Sequence, residues 1–265
     1  MITKIQSHHQ RAIDNLTHEY KNDPRFLGLI IGGSVAKGCA RADSDIDFMM
    51  IATDEEFQQR EANNDFFINR TDLTDYKYGY VDGKIIDMKY LYDVAEKGND
   101  PTRAAFDGAF VAFSHIDGLE ELLQKIFVYP EAERAERLRT FYCMSFIQNW
   151  LMNEANRHDN LYTKSRAASQ LALFTGRLIL AHNRILFPYH KWLMHYLEKC
   201  PEKPENFIEN IQAVLEKPSS ETATRLFESV RDFKDWGVTD LEAYTWFMED
   251  VEWSWRKDNT PLEDI

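Results

Sequence analysis

Cysteine is scarce in this chain. Cys39, Cys143 and Cys200 are the only three, far apart and odd in number. That excludes a framework of paired disulfides, and no C-x-x-C or zinc-ligand spacing joins them. Positive charge is also short: 31 Lys and Arg stand against 44 Asp and Glu, for a net charge of −13. Such a chain has no bulk attraction to nucleic acid or to an anionic membrane. It favours neutral or cationic partners and leaves room only for a local basic pocket. Long apolar runs are missing too. None approaches the ~18 residues of a membrane span, and MITKIQSHHQRAIDNL has no signal-peptide core. The expectation is a cytoplasmic protein with reduced thiols. No internal repeat, low-complexity tract or long linker interrupts the sequence.

What is present is apolar and aromatic. Hydrophobic residues make up 44% and aromatics 13% of 265 residues, enough for one large domain or two modest ones with a real core. Residues 3–21 carry Ile5, Ile13 and Leu16 at helical spacing, and Asp23-Pro24 ends that helix. FLGLII (26–31) reads as a buried strand closed by Gly32-Gly33, and DIDFMMI (45–51) as a second. Residues 54–63 are polar and helical. YKYGYV (76–81) and KIIDMKYLY (84–92) flank an Asp-Gly pair, which predicts a β-hairpin turning at Asp82-Gly83. After Asp100-Pro101 the character changes, and from about residue 119 the pattern is helical. Helices are expected over 133–157, around Ala167 to Ile185, and over 189–199, 204–216, 221–234 and 240–256, punctuated by prolines. The fold class is therefore α+β: a small mixed sheet domain over 1–120, then an all-helical bundle over 121–265.

Chemistry concentrates in GGSVAKGCARADSDIDF (32–48). Side chains alternate along a strand, so Asp45 and Asp47 face one way and Ile46 and Phe48 the other. Two carboxylates so close repel, and a divalent cation removes that cost. Asp87, read as mid-strand in KIIDMKYL, is the candidate third carboxylate. Such a trio suits two Mg²⁺ about 4 Å apart in a phosphoryl-transfer site. Asp47 would bridge the ions, and Asp87 would serve beside the attacking hydroxyl as ligand or base. Gly33 and Ser34 form a turn whose backbone N–H groups and hydroxyl suit phosphates, with Lys37 in support.

These residues resemble the signature of the DNA polymerase β-like nucleotidyltransferase superfamily. Gly33-Ser34, ten intervening residues, Asp45-Ile46-Asp47 and a later strand aspartate carry the likeness over residues 26–92. SVAKGCARADSDIDF is similar to the small bacterial antibiotic nucleotidyltransferases of aminoglycoside or lincosamide type. The resemblance implies Mg²⁺-dependent transfer of a nucleoside monophosphate, AMP from ATP or another NTP, to an acceptor hydroxyl with release of pyrophosphate. Ser44 joins the nucleotide-binding set, and Lys191, in the aromatic and cationic stretch 187–197, is a further candidate for phosphate contact. The C-terminal helices are similar in kind to the substrate domain of aminoglycoside nucleotidyltransferases, closing the cleft and selecting the acceptor.

The helical half offers Glu154 and Trp192 as acceptor contacts, and Arg166, Gln170, Arg177 and Arg184 as a stripe that could reach phosphates. Each has an ordinary alternative as a solvated face or a packed aromatic. His190 and His195 read as structural, and His8-His9 as a surface pair. A small cationic acceptor such as an aminoglycoside suits the acidic chain, and antibiotic resistance is the role attached to that class, though a housekeeping relative would carry the same motif; nucleic acid and membrane do not suit it. Two other readings stay open: nucleotidylation of a protein side chain, and a nucleotide-binding module without turnover. The oligomeric state is open as well.

Overall fold

The computed structural model describes residues 5–257 and Thr260; the first residues of the expected 3–21 helix lie outside them. The chain divides into two compact units, Met1–Val128 and Tyr129–Ile265. The first is α+β and the second helical.

In the first unit, α1 (Ser7–Tyr20) precedes β1 (Phe26–Ile31), a single helical turn α2 (Gly33–Ala36), β2 (Ile46–Ala52) and α3 (Asp54–Asn63). The chain continues through β3 (Phe67–Arg70), β4 (Val81–Ile86), α4 (Met88–Lys97), α5 (Asp100–Ala104), β5 (Phe110–Ser114) and α6 (Leu119–Ile126). The five strands form one mixed sheet in the order β3-β4-β2-β1-β5. β2 lies antiparallel to β1 and parallel to β4. Being central, β2 is buried along most of its length, which explains its near-continuous apolar run. One face of the sheet, with Ile31, Ile46, Phe48, Met50, Val81 and Ile85, packs on Ile13 and Leu16 of α1. The other, with Ile30, Met49, Ile51 and Ile86, packs on Leu91 and Val94 of α4 and on Leu119, Leu123 and Ile126 of α6. By alternation, Asp47 and Asp82 belong to this second face.

The expected hairpin at Asp82-Gly83 is absent. Both residues lie inside β4, which meets β2 through a long crossover containing α3 and β3. Gly83 answers a packing demand: a Cβ there would lie 2.5 Å from the Phe48 ring. Residues 76–80 form a turn leading into β4 and no strand of their own. The strands β3 and β5 are additional to those expected from sequence.

In the second unit, α7 (Arg134–Arg157) and α8 (Leu161–His182) pack together through a short connection. They are followed by α9 (Leu193–Lys199), α10 (Phe207–Glu216), α11 (Ser220–Arg231) and α12 (Asp240–Phe247). Capping boxes at Ser219 and Thr239 start the last two. Met152, Leu171, Leu178, Leu197, Phe207, Ile211, Leu226 and Val230 form the core. No helix among the described residues is long and apolar enough to cross a membrane.

Candidate active site

Asp47 is the second residue of β2, and its register partner on β4 is Asp82. Parallel neighbours in register project to the same face, so the two carboxylates stand side by side at one end of the sheet. Asp45 precedes the first ladder residue, Ile46, at the same end. Asp87 does not join them. It follows β4 and caps α4, its Oδ1 accepting from the Tyr90 amide at 2.7 Å. Five residues of strand separate it from Asp82, about 16 Å at 3.3 Å each. The third carboxylate beside the Asp45/Asp47 pair is Asp82, which the expected hairpin places in a turn. One signal pointed to it: an acid sharing a site with the start of β2 must lie near the start of a parallel neighbour.

The glycine turn sits directly over Asp47. The Gly32 amide donates to the Asp47 carbonyl at 2.9 Å. Gly33 adopts φ +63, and a Cβ on it would fall 1.7 Å from Asp47 Oδ2 and 2.4 Å from Cγ. Only glycine satisfies both the left-handed backbone and this close approach. Ser34 Oγ is shielded and has no hydrogen-bond partner. A shielded hydroxyl left unsatisfied costs free energy that an incoming acceptor would recover. The helix that follows is one turn long, so the dipole expected from a helix start is small.

Lys37 is engaged elsewhere. Its ammonium donates to the Ala104 carbonyl at 2.9 Å and lies 3.4 Å from Asp107 Oδ2. Burial pulls its pKa down from the usual lysine value, against the raising influence of Asp107, Cys39 and Asp47. Gly108, at φ +68, packs so that a Cβ would meet the Ala36 carbonyl at 2.5 Å. The segment 104–109 thus buttresses the glycine turn, with Lys37 as the fastening. Ser44 is likewise occupied locally. Its Oγ accepts from the Arg41 amide at 2.9 Å, and its carbonyl accepts from the Tyr76 hydroxyl at 2.7 Å.

The surroundings perturb several groups. Burial, then the charge of Asp45, raises the Asp82 carboxyl above the ordinary aspartate value. Tyr80 is pushed up to about 12, first by its hydrogen bond to Asp45. Tyr76 also rises to about 12, mainly through burial. His9 departs from the expected surface pair: it is fully buried, and neither ring nitrogen has a well-formed hydrogen bond. Burial and His8 lower its pKa, while the Ser44 backbone and Asp45 oppose them. His9 belongs to the buried face of α1 with Ala12, Ile13 and Leu16, which made its position legible.

In the helical unit, Glu154 pairs with Arg157 at 2.7 Å. Lys191 is exposed and lies 5.7 Å from the centre of the Trp192 ring; Trp192 is half-buried and meets His195 edge-on. Arg177 lies 4.3 Å from the ring centre of Phe141 and 4.9 Å from that of Phe187, and Arg184 pairs with Glu131 at 2.8 Å. The arginine stripe is therefore at least partly occupied within its own unit.

The donor set at the sheet end suits a hard divalent cation: three carboxylates from adjacent segments, beneath a glycine bare of side chain and beside an unsatisfied hydroxyl. Among the described residues, no three Asp, Glu, His or Cys side chains are already gathered closely enough to hold an ion.

Compared with known proteins, the chain matches no family model. No curated protein matches it either. Among solved structures it is similar to the crystal structure of a nucleotidyltransferase-like protein from Exiguobacterium sibiricum 255-15, at 11% identity and a TM-score of 0.48. That similarity covers 92% of this chain and 80% of the other.

Proposed function

We propose that the first unit binds a nucleoside triphosphate with Mg²⁺ and transfers its nucleoside monophosphate to an acceptor hydroxyl, releasing pyrophosphate. One observation carries this reading: Asp47 and Asp82 stand in register on parallel strands, with Asp45 beside them and Gly33 pressed on Asp47. Asp45, Asp47 and Asp82 would hold the cation. When bound, it would offset the charge that the carboxylates and phosphates bring together. Ser34 would donate its free hydroxyl to a phosphate oxygen. Gly33 would let the turn close directly on Asp47, where any side chain would collide with its carboxylate. Asp82 takes the place of the third carboxylate, beside the attacking hydroxyl as ligand or base. ATP is the proposed donor. The net charge of −13 favours a small cationic acceptor, of which an aminoglycoside is one example.

The test is pyrophosphate release from ATP and Mg²⁺ across an acceptor panel. Asp47→Asn and Asp82→Asn are expected to lose at least about 100-fold in rate. Asp87→Asn, which keeps the cap on α4, is expected to retain the wild-type rate. An Asp82→Asn enzyme working at the wild-type rate would defeat the assignment.

A further inference from the structure

We propose that Tyr76 is a positioning residue that sets the aim of Asp45 relative to Asp47 and Asp82. This rests on the reading of the three carboxylates as a cation site. Asp47 is fixed by its ladder partner and by the Gly32 amide. Asp45 has no ladder partner, because it lies before the first paired residue of β2, and the contact on its carboxylate comes from Tyr80, which belongs to the same turn as Tyr76. Its direction depends on the loop that delivers it, and the last tether in that loop is the Ser44 carbonyl held by the Tyr76 hydroxyl at 2.7 Å.

The tyrosine is itself held on several sides. The rings of His8 and His9, on α1, lie 4.6 and 5.2 Å from its own. Gly79 crowds it so closely that a Cβ there would fall 2.6 Å from the ring. The Gly79 amide donates to the Tyr76 carbonyl at 3.0 Å, and the next carbonyl, Tyr80, accepts from the Ile46 amide at 3.0 Å. The start of α1 and the residue before it also grip the same loop upstream: Gln6 Nε2 donates to the Ala40 carbonyl at 3.2 Å and His8 Nε2 to the Ala42 carbonyl at 3.0 Å. One side chain therefore touches the first helix, the residue before Asp45 and the turn that feeds the strand bearing Asp82. His9 is fully buried, and the Ser44 backbone lies within reach of its ring. Its place against the Tyr76 ring makes it part of this clamp.

Tyr76→Phe removes the hydroxyl and keeps the ring. The loss of one hydrogen bond is expected to weaken cation binding about three- to tenfold. The measurement is Mn²⁺ titration of the full chain by electron paramagnetic resonance, with α,β-methylene-ATP present, well below the melting temperatures of both proteins. Weaker Mn²⁺ binding by Tyr76→Phe, with transfer recovering as Mn²⁺ is raised, supports the proposal. Unchanged Mn²⁺ binding overturns it, and so does a drop in melting temperature alone, which marks a structural role. Asp82→Asn is run in parallel. If it binds Mn²⁺ as tightly as the wild type, the cation-site reading fails whatever Tyr76 does, and the Tyr76 role falls with it.

Discussion

Gly33→Ala tests the core of the site through stability as well as through activity. Two costs arise. An L-residue at φ +63 sits in the left-handed region, at about 1–2 kcal/mol. The new Cβ would also lie 1.7 Å from Asp47 Oδ2, where real contacts stop near 3.0 Å, so one of the two must yield by about 1.3 Å. Asp47 cannot retreat through its backbone, which is held by the Gly32 amide and by the β4 ladder. Its carboxylate must swing away or the turn must lift. Gly237→Ala separates the two costs, because that glycine adopts φ +67 with nothing within 4 Å of its Cβ position. At roughly 2–4 °C per kcal/mol for a chain of this size, Gly237→Ala should lower the melting temperature of its unit by a few degrees. Gly33→Ala should lower that of the first unit by more, and it should cut pyrophosphate release about 100-fold, as expected for an ångström-scale misplacement. Calorimetry resolving the two units is the assay. Equal shifts in the two variants would refute the close packing of Asp47 on Gly33.

Three further outcomes follow from the same geometry. Asp87→Ala removes the α4 cap and should cost about 1 kcal/mol with transfer unchanged, measured by urea unfolding alongside the rate. Asp82 has a raised folded pKa, so it holds its proton more tightly folded than unfolded, and stability is lost as pH climbs from the ordinary aspartate value through the raised one. Asp82→Asn should therefore melt higher than wild type at pH 7 without divalent cation, and the gap should close near pH 3; a gap independent of pH would contradict the cause assigned. Cys143 and Cys200, buried and pushed up to about 11, should resist alkylation until the chain unfolds. Half-buried Cys39 should react first, as mass spectrometry of iodoacetamide-treated protein would show.

Much of the fold was legible because its strongest elements obey local rules. The apolar runs of β1 and β2 and the long periodic helices α7 and α8 read directly from spacing. Asp82-Gly83 misled because one dipeptide serves two needs. A glycine demanded by an i′-type turn is indistinguishable in sequence from a glycine demanded by the Phe48 ring across a parallel ladder. A hairpin turning at Asp82 leaves Asp87 as the strand acid. The helix behind Asp87 was visible in its Leu91 and Val94 spacing, and an aspartate just before such a helix is an ordinary cap. β3 and β5 are short, partly exposed edge strands, whose pairing comes from neighbours distant in sequence and not from their own pattern. Lys37 could not have been placed from sequence, because its acceptor at Ala104 comes from a segment 67 residues later.

That last contact gives the glycine turn a timing of its own. A latch between two stretches remote in the chain releases only when either stretch loosens, so both share a single opening event. Amide exchange around Ser34 and Val35 should then rise and fall in step with exchange around Ala104 to Asp107, and cutting the tether with Lys37→Met should quicken the pair together.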